Sequence, residues 1–317
     1  MKILVAGGAG YIGSRLVPAL MEHGYELEVI DLLWFGNNLP KGVKLIRKDL
    51  FDCTAADFKG YEQVIFLAGL SNDPMAEYSP AKNFIMNGAL PSYLAYLAQK
   101  AGTRRFIYAS SCSVYGHAVD KFFNEEDPVT CDYPYGISKL QGERGVLQMH
   151  RPDFSVLALR QGTVCGHSPR MRMDLIVNTM FRSAMTEGVI NINNPAIWRP
   201  VYDIRDAVHG FIRAVQADYS LNGVFNVCSG NYTVGEVADL VKTEVEKLNG
   251  QKIKMNIKQI EDFRNYKVSV DKAKLELGFL PQYSIPDTVL DLYDHKALYG
   301  DYDQDGFFNI KVFKKLS

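Results

Sequence analysis

Tyr135 and Lys139 stand four residues apart in Tyr135-Gly-Ile-Ser-Lys139. On a helix that spacing puts both side chains on one face, within reach of a single ligand. A free phenol, with a pKa of about 10, is a poor base at neutral pH. A neighbouring ammonium favours the phenolate, so Lys139 would draw Tyr135 toward a range useful for proton abstraction. Upstream, Tyr108-Ala-Ser110-Ser111-Cys112-Ser113 closes an apolar run with hydroxyls. One of these serines can share a substrate hydroxyl's proton with Tyr135.

A second constellation opens the chain. Gly7-Gly8-Ala9-Gly10-Tyr11-Ile12-Gly13 follows the strand-like run Lys2 to Ala6 and precedes a helical pattern. Small residues there permit a tight turn and let backbone N–H groups approach a pyrophosphate at the helix N-terminus. Glycines alone would mean no more than a turn, but here strand, turn, helix and a following acid coincide. Asp31 ends the next strand, where a carboxylate accepts hydrogen bonds from the adenosine ribose and repels a 2′-phosphate; Leu32 and Leu33 after it offer no cation. The expected cofactor is therefore NAD rather than NADP. Its oxidised nicotinamide would add a second positive charge beside Tyr135.

These residues need a scaffold, and the pattern around them supplies one. Apolar runs at Lys2 to Ala6, Glu26 to Asp31, Val43 to Lys48, Gln63 to Ala68, Arg105 to Ser110 and Ser155 to Arg160 read as strands. Helical periods lie between them, notably Asn83 to Lys100 and Tyr135 to Met149. That alternation predicts an α/β fold, a Rossmann-type doubly wound parallel sheet with ligands at the carboxyl ends of its strands. After Arg160 the regularity loosens. A helix is expected over Asp174 to Thr186, another behind the capping box Thr233-Val-Gly-Glu236, and a last one over Ser284 to Tyr299. The expected division is an NAD-binding domain over 1–165, with a returning segment at about 195–228, and a smaller α/β domain over 166–317 that mainly binds substrate.

Composition narrows the function classes. With 317 residues, 47% hydrophobic and 22% charged, the chain suits an ordinary globular enzyme, and its net charge of −1 gives no reason to expect nucleic acid or an anionic membrane as partner. Five scattered cysteines without a CxxC pair suggest neither disulfides nor a zinc site. The N-terminal apolar run is too short for a signal peptide or a membrane span, so a cytoplasmic location is expected.

The motifs together resemble the extended short-chain dehydrogenases, in particular the nucleotide-sugar epimerase and dehydratase family typified by UDP-galactose 4-epimerase. The likeness rests on GGAGYIGS at Gly7 to Ser14, VID at Val29 to Asp31 and FLAG at Phe66 to Gly69. SSCSVYG at Ser110 to Gly116, YPYGISK at Tyr133 to Lys139 and RPVYDIRD at Arg199 to Asp206 complete it. The resemblance implies that Ser111 is the catalytic hydroxyl, Tyr135 the base and Lys139 the ribose-binding cation. It implies a cofactor site of Gly7, Gly10, Tyr11, Ile12, Gly13, Asp31, Asp49, Leu50, Leu67, Ala68, Gly69 and Asn87, with Tyr135 and Lys139. It likewise implies that Asn178 and Arg199 hold a nucleotide diphosphate, and that the partner is a nucleotide-diphosphate sugar. A homodimer, paired through the helices that include the Tyr135 helix, is implied in the same way.

Departures from the family pattern narrow the chemistry. The 4,6-dehydratases carry Asp-Glu directly after the catalytic hydroxyl residue and the decarboxylases a Glu two after it, whereas this chain has Cys112 and Ser113. Ser71 and Thr163 stand where UDP-galactose epimerases have a lysine and an asparagine, and the later family arginine falls at Gln259, with Arg264 close by as a substitute. The substrate contacts are thus expected from Ser71, Ser111, Thr163, Asn178, Arg199 and Arg264. The expected activity is NAD-dependent epimerisation of a nucleotide sugar at C4. A nucleotide-keto-sugar reductase or dehydrogenase is the alternative on the same residues, and a dinucleotide-sensing protein without catalysis ranks last.

Other signals carry no function. Asp301-Tyr-Asp303-Gln-Asp305-Gly306 begins like a calcium loop, but Val312 replaces the bidentate glutamate at its twelfth position. Asn231-Tyr-Thr233 is a glycosylation sequon only in a secreted protein. Cys112 reads as a small buried filler without a paired histidine, and no metal is expected.

Overall fold

β-Branched and aromatic runs with no polar face build the centre of one parallel sheet. In this computed structural model the described residues are 1–258 and 264–316, with the side chains of 118–120 left aside. The first five strands are β1 (Lys2–Ala6), β2 (Glu26–Asp31), β3 (Lys44–Arg47), β4 (Gln63–Phe66) and β5 (Arg105–Ser111). After β6 (His117–Phe123), which leaves the sheet, β7 (Ser155–Gln161) returns to it. Strands β8 (Thr163–Cys165), β9 (Val189–Asn193) and β10 (Trp198–Asp203) belong to smaller sheets, and β11 (Gly223–Val227) rejoins the large one. The seven-stranded order is β11-β7-β5-β4-β1-β2-β3, every neighbouring pair parallel. Strand order reverses between β1 and β4, and a doubly wound sheet opens a ligand crevice at such a switch point.

Helices α1 (Gly13–Glu22), α2 (Asp73–Tyr78), α3 (Pro80–Asn83), α4 (Leu90–Lys100) and α5 (Pro134–Leu147) accompany this half. The helix expected over Asn83 to Lys100 is not uniform: Phe84–Ala89 forms a π turn between α3 and α4. The wider turn carries the amide of Asn87 inward, fully buried. The strands agree with the pattern to within two residues at each end. β11 lies beyond what periodicity shows, because Asn226 interrupts its apolar run. That buried amide accepts from the Tyr115 hydroxyl at 2.8 Å and donates to the Phe123 carbonyl at 3.3 Å.

The second half adds α6 (Ile176–Glu187), α7 (Ile204–Gln216), α8 (Val234–Asn249), α9 (Ile285–Asp294) and α10 (Asn309–Leu316). The capping box at α8 forms as read, with Thr233 Oγ1 accepting from Glu236 N at 3.1 Å and Glu236 Oε2 accepting from Thr233 N at 2.7 Å. Helix α6 starts two residues later than expected because Leu175, at φ −106° and ψ 148°, is extended and forms its N-cap. The closing helix stops at Asp294, where His295 stacks on His167 at 3.8 Å between ring centroids. Among the described residues, no helix is long and apolar enough to cross a membrane.

Candidate active site

A cleft of about 810 Å³ follows the carboxyl ends of the sheet strands, large enough for ligands of nucleotide size. At one end the glycine loop joins β1 to α1. Gly7 has φ +80°, and a Cβ on it would lie 2.6 Å from Ala68 N and 2.7 Å from Ala68 Cα, so only glycine fits. Ala9 N donates to Asp31 Oδ2 at 3.0 Å and Leu33 N to Oδ1 at 2.7 Å, which fixes the carboxylate at the end of β2. Burial raises the Asp31 pKa, against these N–H donors and the charge of Arg170. Gly10, Tyr11, Ile12, Asp49, Leu50, Leu67, Ala68 and Gly69 continue this wall.

Gly13 and Asn87, both expected on the cofactor, are not on the wall. Gly13 opens α1 with its Cα against the Gly8 backbone, and a side chain there would overlap that backbone. Its smallness seats the helix on the loop. Asn87 lies behind the wall, where Nδ2 donates to the Leu70 carbonyl at 2.8 Å and to Asn83 Oδ1 at 2.8 Å. It positions the Gly69-Leu70 turn from beneath.

The middle of the cleft brings β5 and α5 together. Ser111 ends β5, and its Oγ accepts from Ser113 N at 3.2 Å, which holds the hydroxyl at the strand end. Tyr135 and Lys139, one helical turn apart on α5, reach the same space. Ser111 lines this space too, and its Oγ donates to Ser113 Oγ at 3.1 Å. Burial raises the Tyr135 pKa and the charge of Asp73 raises it further, while Arg172 and the Ser111 hydroxyl pull it down. Lys139, expected to lower Tyr135, is itself lowered by burial to about 7, with Glu143 opposing. Its ammonium sits 4.6 Å above the Tyr108 ring.

Helix α5 is anchored by a buried ion pair under the site. Arg160 Nη2 meets Glu143 Oε1 at 2.6 Å and Nε meets Oε2 at 2.9 Å; Ser110 Oγ donates to Oε2 at 2.6 Å. Cys112 points to the same interior, its Sγ 3.1 Å from the Arg160 carbonyl, and burial pushes the thiol well above its ordinary pKa. It is an inert filler, as the sequence suggests.

The far end is polar and cationic. Thr163, Arg199 and Arg264 line it, with Asn191, Asn193 and Tyr266, while Ser71 lines the cleft beside Asn309, its Oγ accepting from Asn309 Nδ2 at 2.5 Å. Arg264 Nη1 pairs with Asp73 at 2.6 Å, and Arg199 Nη1 donates to the Trp198 carbonyl at 2.9 Å and to the Arg264 carbonyl. Asn178 does not reach this cleft. It is fully buried on α6, where Oδ1 accepts from Gly166 N at 2.9 Å and Nδ2 donates to the Arg172 carbonyl at 2.7 Å and the Tyr11 hydroxyl at 3.2 Å. Every polar atom of its amide is occupied by the fold. Gln259 lies outside the described residues. Sequence reading missed Lys48, Trp34, Phe35, Arg170, Arg172 and Asn309, which also line the cleft; the two arginines in Pro169-Arg-Met-Arg172 were the available signal. No group of three or more His, Cys, Asp or Glu that could hold a metal occurs among the described residues.

The glycine-loop end fits a dinucleotide: Gly7 lets the loop pass directly against Ala68, and Asp31 is held at the end of β2, where a carboxylate can accept from ribose hydroxyls. A family profile described as the NAD dependent epimerase/dehydratase family matches residues 3–228. The chain belongs to that family: it is an enzyme of the extended short-chain dehydrogenase type, and its cofactor is NAD. It is 27% identical to UDP-glucose 4-epimerase of Bacillus subtilis (strain 168), over 88% of this chain and 92% of that one. It is 28% identical to UDP-glucuronic acid decarboxylase 6 of Arabidopsis thaliana, over 90% and 85%. Among solved structures, MoeE5 in complex with UDP-glucuronic acid and NAD superposes with a TM-score of 0.83 at 27% identity, covering 94% of this chain and 99% of that one. UDP-glucuronic acid 4-epimerase from Bacillus cereus, at 24% identity and the same TM-score over 94% and 100%, shares the fold.

Proposed function

We propose that this enzyme epimerises a nucleotide-diphosphate sugar at C4 by oxidising and re-reducing one carbon in a single site. The observation that carries this reading is the meeting of Ser111, Tyr135 and Lys139 in the cleft that the glycine loop and Asp31 open onto. NAD, when bound, accepts hydride from the sugar carbon and returns it. Tyr135 takes the proton of the sugar hydroxyl and gives it back, Ser111 holds the same oxygen, and Lys139 binds the cofactor ribose and steadies the phenolate when protonated. Ser71, Thr163, Arg199 and Arg264 bind the nucleotide sugar, the guanidiniums serving its diphosphate.

Cys112 and Ser113, where the dehydratases carry Asp-Glu and the decarboxylases a Glu at the second position, support epimerisation over dehydration or decarboxylation, because those reactions need an extra proton carrier at the sugar. Residues 1–165 with 195–228 hold the cofactor, and 166–317 mainly the sugar nucleotide. A cytoplasmic homodimer is part of the same proposal: Tyr93 and Tyr96 on α4 and Ile137 on α5 are exposed apolar residues on the helices expected to pair. Tyr135→Phe tests the chemistry. It should lower kcat by two to four orders of magnitude with NAD content unchanged; an unaltered kcat removes Tyr135 from the reaction.

A further inference from the structure

Arg170 is 3% exposed on the cleft wall and forms no salt bridge with a carboxylate among the described residues. Its Nη2 donates to Asn309 Oδ1 at 2.5 Å, while Nε and Nη1 are buried without a hydrogen-bond partner among the described residues. Arg172 does not share the burden, because it holds Asp174 with Nε at 2.8 Å and Nη2 at 3.1 Å, which commits that carboxylate. Burial and the charge of Arg172 push the Arg170 pKa down to about 9. A buried cation with two unmet donors is strongly unfavourable unless an anion completes it.

The guanidinium is also held in place. It lies over the Phe35 ring with its central carbon 3.5 Å from the centroid, and Phe35 belongs to the loop that follows Asp31. Asn309 belongs to α10, which is pinned to that same loop by Phe313 stacked on Trp34 at 5.8 Å. The loop after β2 and the C-terminal helix thus fix one planar fork from two sides. Phe35 follows Asp31 by four residues, so this stacking places Arg170 at the glycine-loop end of the cleft, where the charges of Asp174 and Asp31 act on it. A fixed fork of N–H donors matches the oxygens of a phosphoric anhydride.

We propose that Arg170, set by Phe35 and Asn309, binds the pyrophosphate of the NAD cofactor and keeps the dinucleotide in the site between turnovers. The inference rests on NAD as the cofactor. The test is equilibrium dialysis of full-length protein with radiolabelled NAD, with competition by ADP-ribose, and separately with radiolabelled UDP, in wild type and Arg170→Met. Loss of charged hydrogen bonds should weaken NAD and ADP-ribose about ten- to hundredfold, leave UDP unchanged, and lower the NAD that co-purifies. The unfolding midpoint of cofactor-free Arg170→Met should equal or exceed that of wild type, since an uncompensated charge has been removed. Unchanged NAD and ADP-ribose affinity overturns the proposal. So does weakened UDP with NAD intact, which assigns the arginine to the substrate diphosphate, and so does a lowered midpoint with equal loss of every ligand. Should the Met variant not fold, Arg170→Lys, which keeps the charge and loses the fork, should still bind NAD several-fold more weakly; wild-type affinity in that variant overturns the proposal as well. Failure of the wild type to bind NAD would instead refute the cofactor assignment.

Discussion

Replacing Glu143 by Gln removes the counter-charge beneath the helix that carries Tyr135 and Lys139. The pair it breaks is almost fully buried, with side-chain exposures of 5% for Arg160 and 2% for Glu143. Gln keeps the shape but supplies one acceptor where the carboxylate takes Arg160 Nη2 at 2.6 Å, Arg160 Nε at 2.9 Å and Ser110 Oγ at 2.6 Å. The Arg160 charge would retain the Tyr115 hydroxyl at 2.7 Å, which does not neutralise it. Breaking one side of such a pair costs about 3–5 kcal/mol. Urea unfolding of the cofactor-free protein, read by far-UV circular dichroism, measures this as a fall in midpoint at unchanged slope. The double variant Glu143→Leu with Arg160→Met, which removes both charges, should recover most of the loss. A Glu143→Gln cost below about 1 kcal/mol, or a double variant less stable than the single, would refute the reasoning.

Gly7→Ala should destabilise by about 2–5 kcal/mol, from the left-handed backbone and overpacking, because the new methyl meets Ala68 backbone at 2.6 Å; the same denaturation assay and the NAD content of the purified protein check it, and NAD content should fall. Lys139 gives a pH signature: its pKa is about 7 in the fold against 10.5 as the ordinary value, so between these values the unfolded chain binds the extra proton and stability rises with pH. Unfolding free energy measured from pH 7 to 9 should therefore increase more in the wild type than in Lys139→Met, and parallel curves would contradict it.

The sheet was largely legible because β1, β4, β5 and β7 are buried on both faces and read as continuous apolar runs. β11 was not, because Asn226 breaks its run and is satisfied only by partners far away in sequence. In the site, spacing on one helix brings Tyr135 and Lys139 together, and the strand–turn–helix context locates Gly7, Gly10 and Asp31. Gly13, Asn87 and Asn178, expected at the ligands, do not line the cleft. Their residue types are those of ligand-binding positions, yet packing turns Gly13 toward Gly8, Asn87 toward Leu70 and Asn178 toward Gly166 and Arg172. Arg170, Phe35 and Asn309 come from three separate stretches of chain, so no local pattern announces that they meet.

The central claim, oxidation and re-reduction at one carbon within one site, is tested most directly by following a UDP-hexose deuterated at C4 by NMR. The as-purified enzyme is used with no added cofactor, and absorbance at the reduced-nicotinamide band is monitored in parallel. The account predicts a C4-inverted product that keeps its deuterium, with no reduced cofactor accumulating in solution. Deuterium lost from the product, or, in a parallel run with added NAD, reduced cofactor building up with each turnover and no inversion at C4, would contradict it.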